Sequence, residues 1–174
     1  MSQGDSPSSL SSDREDTPTG TTTDDGVQNS SASLPFAGEV PEDGIVYAIR
    51  DIVSGGFITL LDGHVVVIKG KIGVGGCYWI CDDPGDGWIA FRNLVSGKHL
   101  DYSNKGRFYA PEKVLNSRQF VPRPAALGGY NLCVNYRNSL KAAAAEDPEA
   151  LTTGLVEAAT IKDATRWEFI RVLN

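Results

Sequence analysis

Residues 48–58 read AIRDIVSGGFI and residues 90–100 read AFRNLVSGKHL, so the chain nearly copies itself at a separation of 42 positions. A looser third copy starts at Tyr130, where YNLCVNYRNSLKA keeps the apolar positions and the closing leucine but loses the Arg and the Gly. Three copies of about forty residues are the signature of one supersecondary unit used three times.

Working outward, each copy opens on an alternating segment. Tyr47 and Ile49, Ile89 and Phe91, and Tyr130 and Leu132 share one parity, while Arg50 and Arg92 take the other. Period-two alternation means a strand with one buried and one wet face. A turn signal follows in the first two copies, Asp62 with Gly63 and then Asn104, Lys105 and Gly106, which predicts hairpins. Third strands are HVVVIKG from His64 and RFYAPE from Arg107. Each copy closes on an aromatic strand: CYWIC around Trp79, RQFVP around Phe120, and WEFIR around Trp167 and Phe169.

One segment opposes the scheme. Residues 142–160, AAAAEDPEALTTGLVEAAT, begin with alanines that favour a helix. Register with the other copies instead predicts a second strand, a turn at residues 146–149 containing Pro148, and a third strand at residues 150–156. The repeat is the stronger guide.

Three pseudo-repeats of four strands predict an all-β protein with the β-trefoil fold, six strands forming a short barrel and three hairpins capping one end. The pattern of Trp88, Ile89, Phe91, Arg92, Asn93, Ser96, Gly97, Leu100, Gly106, Phe108 and Ala110, with GGY at 128–130 and WEF at 167–169, resembles the fascin-like trefoil repeat. The resemblance is nearest to single-domain fungal proteins of the actin-crosslinking-like superfamily. It implies a non-catalytic binding module with a protein partner, actin or another anionic surface. Cross-linking needs two separated surfaces, and a single trefoil offers them only as a dimer. The shared residues specify packing and turns, and a fold does not fix a function.

With 174 residues, 41% of them hydrophobic, the chain can build one core. Residues 1–43 are rich in Ser, Thr, Asp and Gly and hold Phe36 as their only aromatic, which predicts a disordered acidic tail and a folded domain over 44–174. Nine acids against Arg14 alone leave the tail at −8; fifteen bases against thirteen acids leave the domain at +2. Between Arg92 and Lys141, nine bases face only Asp101 and Glu112, a stretch at +7. That imbalance nominates Arg92, Lys98, Lys105, Arg107, Lys113 and Arg118 as a surface for an anionic protein partner. Nucleic acid fits less well, because the domain's charge is small and the tail would repel phosphates.

The alternative is a carbohydrate-binding trefoil lectin. Ricin-type lectins carry Gln-x-Trp near the end of each repeat; the corresponding triplets here are YWI, QFV and WEF. A sugar platform is still available from Trp88, Tyr102 and Tyr109 beside Asp82, Asp83, Asp86 or Asp101.

No catalytic, cofactor or metal site can be assembled from the residues available. The two histidines are His64 and His99, and His99 occupies the place of Phe57 in the repeat. Cys77 and Cys81 share the parity of Trp79 and read as core, and their spacing is a weak zinc signal. GKIGVGG at residues 70–76 is neither a dinucleotide fingerprint nor a P-loop. Three cysteines, an odd count, suit a reducing compartment. The N-terminus lacks a basic region followed by an apolar stretch, so the expected location is the cytoplasm, with the nucleus open and no membrane span.

Overall fold

The computed structural model describes residues 38–70, 76–113 and 119–172. The first repeat supplies β1 (Val46–Asp51), β2 (Phe57–Leu61), β3 (His64–Ile68) and β4 (Tyr78–Asp82). The second supplies β5 (Ala90–Asn93), β6 (Asp101–Tyr102), β7 (Phe108–Tyr109) and β8 (Phe120–Pro124). The third supplies β9 (Tyr130–Tyr136), β10 (Ser139–Ala145), β11 (Thr152–Glu157) and β12 (Arg166–Arg171).

The first and last strands of each repeat close a six-stranded antiparallel barrel. β1 pairs with β4, β4 with β5, β8 with β9, β9 with β12, and β12 with β1. Among the described residues, closure between β5 and β8 rests on the single bridge Ile89↔Phe120. There Phe120 N–H donates to Ile89 O at 3.0 Å and Ile89 N–H to Phe120 O at 2.9 Å. The remaining strands form the hairpins β2–β3, β6–β7 and β10–β11. This is the β-trefoil expected from the repeat.

The turn after the first barrel strand explains why D-x-V-S-G and N-x-V-S-G recur. Asp51 is buried, and its carboxylate accepts Val53 N–H and the Ser54 hydroxyl; Asn93, also buried, accepts Val95 N–H and Ser96 N–H. Gly55 and Gly97 then reach φ of 73° and 72°, each donating its N–H back to the residue that opens the turn. The third repeat uses a different device. Arg137 and Asn138, at φ of 51° and 62°, make a two-residue hairpin turn between β9 and β10, which is why the Gly is missing there.

Ile49, Phe91 and Leu132 are fully buried in one core cluster with Tyr47, Trp79, Phe120, Trp167 and Phe169. Phe91 stacks on Phe169 with ring centroids 5.7 Å apart, and Phe120 meets it edge-on. The pseudo-symmetry extends to hydrogen bonds: Trp79 Nε1 donates to Ile58 O at 2.8 Å, and Trp167 Nε1 to Ala143 O at 3.4 Å. The alanine segment is strand, as the repeat required. Ala142, Ala143, Ala144 and Ala145 are all buried, and Ala143 and Ala145 join the main core cluster.

Two expectations are corrected. Cys77 does not share the face of Trp79 and Cys81; β4 begins only at Tyr78, and Cys77 packs with Ala48 and Phe57 in a separate small cluster. The chain's packed part also begins before Gly44. Glu39 N–H donates to Phe169 O, Arg171 pairs with Glu39 at 2.6 Å and Glu42 at 3.0 Å, and Asp43 accepts Asp83 N–H. Gly38, at φ 87°, lies so close to Phe169 N that a Cβ would come within 2.6 Å. These contacts run through charge and backbone, which an apolar-content argument does not see. Residues 1–37, and with them most of the expected tail, lie outside the described residues.

Candidate functional site

Four of the nine bases of the basic stretch are ion-paired among the described residues, three with acids outside the stretch and Lys98 with Glu112 inside it. Arg92 makes two hydrogen bonds to Asp82, Lys98 pairs with Glu112, Arg107 pairs with Glu146 at 2.6 Å, and Lys141 pairs with Glu157 at 2.9 Å. Lys105 and Lys113 are exposed, and Arg118 lies outside the described residues. Of the six nominated cations, Arg92, Lys98 and Arg107 are therefore ion-paired.

The aromatic candidates divide. Trp88 is half-buried in the loop before β5, its N–H held by Asp86, away from the other two. Tyr102 and Tyr109 come together with Asp101 in a cleft of about 260 Å³. The cleft exists because β6 and β7 are two residues each, the shortest hairpin of the three, while β9 runs seven residues past them. Ser103 and Asn104 form one wall from the β6–β7 turn; Gln119 and Asn135 form the other, joined by Asn135 N–H donating to Gln119 O at 2.8 Å. Tyr136 completes it.

Its chemistry is mixed and ordered. Asp101 is buried beneath the cleft and accepts Tyr102 N–H at 2.7 Å. Tyr102 is 7% exposed, and its ring meets Phe108 and Tyr136 edge-on at 5.2 Å, so it serves as floor rather than as an open stacking plane. Its hydroxyl donates to Glu157, which Lys141 holds from the other side. Burial first, then this hydrogen bond, pushes the Tyr102 phenol well above its ordinary range, and the same bond with Lys141 holds the Glu157 carboxyl below its own. Tyr109 pairs directly across from Asp101 and is half-buried, with its phenol raised by burial and by the nearby Asp101 charge. Tyr136 is half-buried too, with Arg137 over its ring. Among the described residues no Lys, Arg or His lines the cleft.

The Asp101–Tyr109 pair belongs to the second repeat alone. Thr59↔Val66 and Ala144↔Val156 occupy the same hairpin places in the first and third. Asp101, Tyr102 and Tyr109 were legible in the sequence as candidates. Gln119 and Asn135 were not, because they arrive from neighbouring strands and carry no spacing signal.

The other chemical candidates are structural. His99 Nε2 lies 3.4 Å from Asp82 Oδ2, and its Nδ1 is buried without a hydrogen-bond partner among the described residues. Cys77, Cys81 and Cys133 are buried free thiols; burial, aided by nearby aspartates, pushes the Cys81 thiol up to about 12. Among the described residues no three His, Cys, Asp or Glu side chains are grouped as metal ligands, and no helix is long and apolar enough to cross a membrane. Of the glycine cluster, residues 71–75 lie outside the described residues.

No protein-family model matches the chain, and no curated protein matches its sequence. Solved structures do match. A ricin B-like lectin of Macrolepiota procera in complex with lactose superposes with a TM-score of 0.63 at 16% identity, covering 75% of this chain and 98% of that one. SeviL bound to the asialo-GM1 saccharide gives 0.60 at 14%, covering 76% and 100%. ThreeFoil, a designed threefold-symmetric protein, gives 0.58 at 20%, covering 73% and 99%. These neighbours are trefoils and lectins rather than fascins, and at such identities the likeness concerns architecture. The chain is an all-β protein with the β-trefoil fold.

Proposed function

We propose that this chain is a non-catalytic binding module that takes one neutral glycan residue in the cleft between β6–β7 and β9. The observation that carries the reading is the composition of the cleft among the described residues: a carboxylate, a serine hydroxyl and three carboxamides around the half-buried rings of Tyr109 and Tyr136, with no cation in the lining. Carboxylates and amides match the paired donors and acceptors of adjacent sugar hydroxyls, and an aromatic face covers the C–H side of a pyranose. The volume is below the roughly 300–1,000 Å³ of drug-sized pockets, which suits a single terminal sugar. Two trefoil neighbours solved with saccharides support the same reading. The fascin-like alternative, a protein or actin partner met by the basic stretch, loses most of its basis to the ion pairs of Arg92, Lys98 and Arg107.

Isothermal titration with lactose and a panel of neutral mono- and disaccharides tests it. One sugar should bind saturably with one site per chain, and Tyr109→Ala and Asn135→Ala should each abolish measurable binding while leaving the melting curve in place. Absence of saturable binding across the panel, or binding indifferent to both substitutions, refutes the proposal.

A further inference from the structure

A second cleft, of about 360 Å³, lies on another part of the barrel between the β8–β9 loop and the β11–β12 loop. Its walls are apolar: Ala125, Ala126 and Leu127 on one side, Ile161 and Ala164 on the other. Leu127 is 78% exposed and Ile161 54%, so two aliphatic side chains stand in water at its mouth. Its polar groups are one carboxamide and two cations. Asn131, Lys162 and Arg166 line it, and none is acidic.

Strand register adds a second arginine. Arg123 of β8 pairs across from Asn131 of β9, and Asn131 pairs across from Arg166 of β12. Directly paired residues of antiparallel strands project to the same face. At strand spacings of about 4.8 Å, the two arginines therefore rise roughly 10 Å apart on either side of one carboxamide. Lys162 reaches the same space from the loop above.

The pairing of these cations is what sets them apart. Arg50, Arg92, Arg107 and Arg171 each meet a carboxylate, and Arg137 lies over the Tyr136 ring. Among the described arginines, Arg123 and Arg166 have neither kind of partner. Arg166 is held in place by donating to the Leu127 carbonyl, which orders its guanidinium at the cleft wall without neutralising it. The nearby acid, Asp163, accepts the Thr160 hydroxyl at 2.8 Å within its own turn. Two forked guanidinium groups and an ammonium around an amide match an oxyanion, and the alanine and aliphatic walls match an apolar body attached to it.

We infer that the cleft lined by Asn131, Lys162 and Arg166 and flanked by Arg123 is a second ligand site, for a small amphiphile with a phosphate or carboxylate head and an apolar body. It is separate from the sugar cleft and opposite to it in charge, so the two sites fail or stand independently.

The test is an amide chemical-shift titration of the full 174-residue chain with octyl phosphate below its micellar concentration, beside octyltrimethylammonium as a cationic amphiphile of equal chain length. Octyl phosphate should give saturable shifts centred on Leu127, Asn131 and Arg166, and the cationic amphiphile none. Lys162→Gln combined with Arg123→Gln, both exposed and outside the Leu127 contact, should weaken octyl phosphate at least about tenfold, the factor expected from one lost charge-assisted hydrogen bond. Arg166→Gln should do the same. Co-sedimentation with phosphatidic acid vesicles would assign the anion to a lipid headgroup; octyl phosphate binding without co-sedimentation would assign it to a soluble ester. Scattered or absent shifts, equal response to the cationic amphiphile, or unchanged affinity in the double variant overturns the site.

Discussion

Phe91→Ala removes the ring at the centre of the barrel. Phe91 has no solvent exposure; its plane lies within 7° of that of Phe169 at 5.7 Å, and Phe120 meets it edge-on at 6.1 Å. The substitution therefore loses the transfer free energy of a buried ring and two aromatic pairs, and leaves a cavity that three strands cannot collapse around together. Phe→Ala truncations at such sites cost about 3–5 kcal/mol, against a stability of about 5–15 kcal/mol for a typical domain. At about 2–4 °C per kcal/mol for a chain of this size, the melting temperature should fall by roughly 6–20 °C. Urea melts of the variant should keep the slope of the parent and move only the midpoint. Val95→Ala, at a residue 76% exposed in the turn after β5, serves as the control and should shift stability by less than about 0.5 kcal/mol. A loss below about 1 kcal/mol for Phe91→Ala would mean that the ring is not in the barrel, and the assignment of the repeat parity would fail with it.

Further expectations follow from the turns, the boundary and the thiols. Asn93→Ala strips the acceptor of Val95 N–H and Ser96 N–H and removes one of the two donors to Gly76 O, which keeps Leu60 N–H, at a cost of about 1–3 kcal/mol by denaturant melt. A chain that starts at Gly44 should melt measurably below one that starts at Gly38, because Arg171 then loses Glu39 and Glu42 and Phe169 O loses an N–H donor. Cys81, raised from an ordinary 9.0 to about 12, keeps its proton when the unfolded chain has lost it, so its contribution is intact below pH 9 and declines as pH rises from 9 toward 12. Melts across that window, compared with Cys81→Ala, should show the steeper decline in the parent, and alkylation at pH 8 should reach Cys81 only on unfolding.

What the sequence disclosed and withheld has a physical pattern. The first two repeats were legible because Asp51 with Gly55 and Asn93 with Gly97 solve one backbone problem in one way, and local turn chemistry leaves its mark on adjacent residues. The third was faint because Arg137 and Asn138 solve it differently. The alanines of β10 were read correctly only through register, since their strand state comes from packing over the barrel and not from propensity. The longest of the stretch's ion pairs was invisible: Arg107 meets Glu146 across 39 positions, so a local charge count read a paired residue as part of a free patch. The cleft was half legible for the same reason, with Asp101 and Tyr109 on one hairpin and Asn135 brought from the next repeat.

The most direct test of the sugar site is an amide chemical-shift titration of the intact chain with the best neutral sugar from the panel. Saturable shifts should gather at Ser103, Asn104, Tyr109 and Asn135, leaving Thr59, Val66, Ala144 and Val156 at the equivalent hairpin places unmoved. Shifts centred on those other hairpins, or none at saturating sugar, would contradict a single glycan site in the second repeat.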